Sequence, residues 1–315
     1  MVNWNSIWTV LLQNRIKVRL LVILFMVWSS IPSYALKCDQ VIKETANGVY
    51  TLSKGELSLS VSALHGGKII SFKRGNKEML LQDTVHPKYY GATLWPSPQC
   101  RFWPPAPVLD NLPYQAENNG GLLRLVSGKD SLTGFRFTKE FSISQDTALL
   151  INYKIENISD TIQHVAAWDI VRVLGGKTFF PIRDRELKDL PSTLEHVDEE
   201  NGTVWYTFVN DSIKRGQKLF ATTKEGWLAH QYGDLLFIKT FPTVPKELLP
   251  ALQGEVEIFL APNSLYVELE NHGKLTLLEP GEFLTYQQKW FLYLIPAEIS
   301  NNNAKLEDYV RRRIH

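Results

Sequence analysis

Period-two alternation runs through this sequence and decides what the chain can become. In "LLINYKIEN", Leu149, Ile151, Tyr153 and Ile155 point one way, while Asn152, Lys154 and Glu156 point the other. That is the pattern of a strand with one face buried and one face wet. "GFRFTKEFSI" repeats it, with Phe135, Phe137, Phe141 and Ile143 on one side. So do "TVWYTFVN", "DLLFIKTF", "EVEIFLA", "LYVELE" and "LTYQQKWFLYLI". "GKIISFKRGNKEMLL" reads as two short runs around Arg74-Gly75-Asn76, a hairpin signal. Only "NAKLEDYVRRRI" carries a helical period, which predicts one short terminal helix. Many alternating strands without helices between them predict antiparallel sheets packed face to face. The expected class is all-β: a large antiparallel sandwich whose wide concave face has room for a ligand.

The alternation starts only after a different kind of segment. Arg15, Lys17 and Arg19 precede an unbroken apolar run from Leu20 to Trp28; Pro32 and Ser33-Tyr34-Ala35 follow. This is the pattern of a signal peptide with small residues at the −3 and −1 positions, and the run is too short for a bilayer core of about 30 Å. The expected organisation is a leader over residues 1–35 and a single domain over 36–315, periplasmic or secreted. No stable membrane span is expected once the leader is cleaved. In an oxidising compartment Cys38 and Cys100 either pair or stay as free thiols. The net charge is +1, and the basic cluster Arg311-Arg312-Arg313 is a terminal run, so nucleic acid is not an expected partner. Asn157, Asn201 and Asn210 open glycosylation patterns that matter only in a eukaryotic host.

Three stretches carry candidate chemistry. In "LYVELENHG", Val267 and Leu269 face one way and Glu268 and Glu270 the other. Residues two apart on a strand lie roughly 7 Å apart on one face. The pair is either a solvated polar face or a carboxylate presented for general acid–base work. In "TIQHVAAWDIV", His164, Ala166 and Trp168 share a face and Asp169 takes the other. "GATLWPSPQCRFWPP" places Trp95 and Trp103 on either side of Gln99 and Arg101, among four prolines. Proline removes backbone donors, so this stretch is expected to be mostly loop. Its rings either close the core edge or form a pre-organised platform for a sugar ring, with the amide and guanidinium reaching hydroxyls; the platform is the expectation. No cofactor is expected: there is no G-x-S-x-G, no phosphate-binding glycine loop, no H-E-x-x-H and no cysteine pair at metal spacing.

"GGKIISFKRGNKEML", "FTKEFSISQDTALLINYKIENISDT" and "VELENHGKLTLLEPGEFLTYQQKWFLY", in that order, resemble the opening hairpin, central strands and C-terminal segment of galactose mutarotase-like proteins, the aldose 1-epimerase superfamily. Trp95 to Gln99 and Trp103 to Pro105 resemble a segment of an exported bacterial branch. The resemblance implies a β-supersandwich with a sugar in its concave cleft. It also implies a glutamate that takes the proton of the anomeric hydroxyl, here Glu270 with Glu268 as alternative. The histidine that protonates the ring oxygen in mutarotases does not carry over: the corresponding place reads Ala167-Trp168. His164, four residues earlier, is the candidate substitute.

Three functions remain open on the sequence: an isomerase acting at a sugar's anomeric centre, a carbohydrate-binding protein without catalysis, or a structural envelope protein. Polarimetry separates the first two, and a glycan array separates the last two.

Overall fold

Among the described residues, nine strands follow one another across the first sheet, every neighbouring pair antiparallel, with the two-residue strand Lys77–Glu78 added beside Lys68–Arg74. Their order in space is Val41–Ala46, Val49–Lys54, Leu57–Ser62, Lys68–Arg74, Ala92–Ser97, Gln163–Val173, Val267–His272, Val256–Leu260 and Gln217–Thr223. A second antiparallel sheet runs through Phe135–Ile143, Leu149–Asn157, Phe283–Leu294, Leu235–Thr240, Trp227–Tyr232 and Lys177–Asp184. Lys177–Asp184 also reaches across to Gln217–Thr223 through Ile182 and Thr223, so one strand joins the two sheets. This computed structural model describes residues 40–144, 148–185, 187, 190–211 and 213–314. From Gln40 onward they form one compact unit. The leader pattern and Cys38 lie outside the described residues; Cys100 is exposed.

The alternation in sequence becomes burial. Leu149, Ile151, Tyr153 and Ile155 are buried, with intermediate residues between them. Phe135, Phe137 and Phe141 are fully buried against residues of the first sheet such as Leu59 and Phe72. Phe72 meets Trp290 of the second sheet edge to face, with centroids 5.8 Å apart. Burying each such ring contributes about 1.5–3 kcal/mol. Gly75 and Asn76 turn the hairpin between Arg74 and Lys77. The terminal helix Asn303–Ile314 buries Leu306 and Val310 against Trp227 and Phe179, on the side of the second sheet away from the first.

One expectation fails. Ala92–Ser97, the first half of the proline-rich stretch, is a fully buried strand and not loop. It pairs along its whole length with Gln163–Val173 but meets Lys68–Arg74 only at Ile69 and Ala92. The Gly91 carbonyl accepts from Arg172 N–H, so odd-numbered residues turn their backbone groups to the long strand and even-numbered ones turn away. Pro96 therefore lies where no ladder bond is needed, the one way a strand tolerates proline. Gly91 starts the strand at φ +62°, and a Cβ there would stand 2.1 Å from the Ile69 carbonyl oxygen.

Candidate functional site

Register builds the site on one face of the first sheet. Trp168 lies directly between Trp95 and His272 on its two neighbouring strands. In the next row of that face, Glu270 stands between Ile170 and Glu257. In the row after, Arg172, Glu268, Phe259 and Lys218 follow one another across four strands. The opposite face of the same strands holds Leu269, Ile258 and Leu219, which belong to the core. Thus the alternation that buries one face delivers the chemistry to the other.

These rows enclose a cleft of about 360 Å³, lined by Tyr89, Trp95, Gln99, Trp103, Trp168, Lys218, Tyr266, Glu268 and Glu270 among others. The volume is in the range of a site for one small ligand. Trp95 meets Trp103 and Trp168 edge to face, with centroids 5.3 and 5.2 Å away. Trp95 is braced from behind, since its Nε1–H donates to Asp110 Oδ1 at 2.7 Å. Trp103 is 46% exposed and forms the outer lip. A larger hollow of about 630 Å³ lies against the second sheet, but Phe241 is its only aromatic residue among the described residues.

Glu270 is the chemical centre of the floor. It is 1% exposed. Trp168 Nε1–H donates to its Oε2 at 2.7 Å. The Lys218 ammonium lies 2.9 Å from its Oε1 and 2.5 Å from Glu257 Oε2. Burial pushes the Glu270 carboxyl up to about 8; Lys218 opposes this shift, and the nearby Glu257 and Glu268 add to it. Glu257, although buried too, goes the other way to about 2, because Lys218 and His272 both stabilise its charge. Two carboxylates share one ammonium, so the proton settles on the one with less support. Glu268 is answered separately by Arg172, whose Nε donates to it at 2.8 Å.

Glu257, Glu270 and His272 offer donor atoms within 4.8 Å of one another, a spacing that suits a metal ion. The Lys218 ammonium already stands against both carboxylates there, so the cluster carries its own cation.

Of the residues singled out in the sequence, Trp95, Gln99, Trp103, Trp168, Glu268 and Glu270 meet around this cleft. Two do not. His164 is exposed on the same strand as Trp168, four residues away, or about 13 Å. Arg101 turns outward, and its Nη2 donates to Gln163 Oε1 at 2.7 Å. Sequence reasoning missed Lys218, Glu257, His272 and Arg172. Glu257 had a signal, since it alternates with Val256 and Ile258 as Glu268 does with Val267 and Leu269. Lys218 had none, because its neighbours come from strand order.

The sequence matches the family described as Domain of unknown function (DUF4380) over residues 96–293. The chain belongs to this family. Among curated proteins none matches it. Solved structures share its fold. A provisionally assigned aldose 1-epimerase from Escherichia coli K12 superposes with a TM-score of 0.56 at 15% identity, covering 78% of this chain and 99% of its own. Galactose mutarotase-like proteins from Lactobacillus casei and Clostridium acetobutylicum both give 0.54 at 12% identity, covering 78% and 82% of this chain and 100% and 99% of their own. This DUF4380 protein therefore has the galactose mutarotase-like β-sandwich. No helix among its described residues is long and apolar enough to cross a membrane.

Proposed function

We propose that this protein binds a sugar in the cleft between Trp95, Trp103 and Trp168. One observation carries the reading: three indoles and the Glu268 and Glu270 carboxylates converge around a single cleft of about 360 Å³. Indole faces stack on the C–H groups of a pyranose, and carboxylates accept from its hydroxyls. The fold neighbours named for aldose epimerisation and mutarotation support the same ligand class. The leader pattern adds an exported setting, tested by N-terminal sequencing of the mature protein.

Proton transfer at the anomeric hydroxyl is the second reading, and the placement of Glu270 favours it. A carboxyl raised to about 8 operates near the pH of its surroundings, the range useful for general acid–base work. Trp168 supplies a hydrogen bond beside it but keeps its own proton. Polarimetry of freshly dissolved α-glucose and α-galactose tests this. Catalysis gives accelerated relaxation that rises with pH toward 8 and falls about 10²- to 10⁴-fold in Glu270→Gln. Relaxation at the uncatalysed rate, in a protein that binds either sugar calorimetrically, leaves binding alone as the function. If no sugar binds, the cleft serves another purpose.

A further inference from the structure

The charges around the cleft do not balance. Arg172 is committed to Glu268 at 2.8 Å. Lys218 is divided between Glu257 and Glu270. His272, packed beneath Trp168, is held below its ordinary value by burial and adds no positive charge near neutral pH. On the underside of the sheet, Lys239 and Asp169 neutralise each other at 2.7 Å. On the floor of the cleft two cations thus answer three carboxyl groups, and the one left without a full partner is Glu270, which lines the cleft. The rings point to the same sign of ligand. Arg172 already lies over the Tyr89 and Trp95 rings at 5.4 Å, and Lys218 over Trp168 at 5.7 Å. Aromatic faces beside carboxylates favour a cation.

Resting on the sugar reading above, we infer that the cleft selects a cationic sugar: a hexosamine whose free ammonium group pairs with Glu270. A neutral hexose brings no charge that could replace the proton on the unpartnered carboxyl. A sugar phosphate brings negative charge to a floor that already holds three carboxyl groups.

The inference fixes a proton balance. In the empty cleft near pH 7, Glu270 keeps its proton because burial disfavours the charge. An incoming ammonium takes over that role, so the carboxyl ionises and one proton leaves to solvent for each hexosamine bound. A neutral hexose displaces none.

Titration calorimetry of the full mature chain at pH 7, in two buffers of different ionisation enthalpy, reads both quantities. The probes are D-glucosamine and D-galactosamine, their parent hexoses, their N-acetyl derivatives and glucose 6-phosphate. The expected result is at least tenfold tighter binding of one hexosamine than of its parent hexose and its N-acetyl derivative. Close to one proton should be released with the hexosamine alone, and the phosphate should bind most weakly. Glu270→Gln should erase the hexosamine-to-hexose ratio; the wild-type comparison stands even if this variant does not fold. Equal binding of hexosamine and hexose, or tighter binding of glucose 6-phosphate, overturns the charge inference and leaves the sugar reading intact. Failure of every sugar to bind overturns both.

Discussion

Asp169 and Glu270 sit on adjacent strands of one sheet, a residue out of step, and so face opposite ways. Asp169 turns into the core, where Lys239 Nζ donates to it at 2.7 Å and the Tyr153 hydroxyl at 3.2 Å. Glu270 turns to the cleft, where it shares Lys218 with Glu257. Both carboxyls are buried. One set is a closed pair; the other has one acceptor too many. A buried charge without a full partner is costly and has to be offset by a proton or a ligand. The contrast separates a paired group between the two sheets from a cleft group that shares its cation with a second carboxyl.

The hardest blow to the closed pair is Lys239→Met. It strands Asp169 in the core and should cost about 3–5 kcal/mol in denaturant unfolding. A loss below about 1 kcal/mol would mean that the core pair is as open as the cleft set. Trp95→Ala tests whether a cleft ring can be braced like a core group. Trp95 is 4% exposed and donates to Asp110. Its removal should cost about 3–5 kcal/mol and lower the melting temperature accordingly.

The unbalanced set should reveal itself through pH. The folded state holds the Glu270 proton up to about 8, above the carboxyl's ordinary value of 4.5. Between those values the folded state binds more protons than the unfolded state. This contribution to stability is therefore full below about 4.5 and lost as pH rises toward 8, with a slope of at most about 1.4 kcal/mol per pH unit. Melting curves from pH 5 to 8 should show that decline in the wild type, and Glu270→Gln should lessen it, leaving the part due to Glu255, which burial raises to about 7. An unchanged slope would put the proton elsewhere in the cluster. The smallest effect belongs to Trp103→Ala. The exposed lip ring has Trp95 as its ring neighbour, so its loss should cost no more than about 1 kcal/mol of stability.

Much of this was legible in the chain. The period of two in "LLINYKIEN" marks a strand, and in "LYVELE" it already separates Leu269 from Glu270. Alternation assigns a residue to a face, and faces are local. Which strands lie side by side is not local, so nothing in "GQKLFATT" announced that Lys218 stands between two glutamates. The proline-rich stretch misled for a related reason. Pro96 forbids a strand paired on both edges, but whether one edge is free there depends on neighbours some 25 and 70 residues away. Trp95 was legible as a cleft residue but was expected in a loop, whereas it stands in a buried strand and is braced by Asp110 from a later segment.

The placing of Gln163–Val173 between Ala92–Ser97 and Val267–His272 also governs when the cleft can exist. A ribosome delivers these segments in order, yet the floor needs the last of them. A chain stopped short of Val267 owns every tryptophan of the cleft and neither carboxylate. Closing such distant pairings is slow, because the entropy of long loops is lost before any contact rewards it. The complete cleft is thus among the last features this chain acquires, and a nascent copy without Val267–His272 lacks its carboxylate floor.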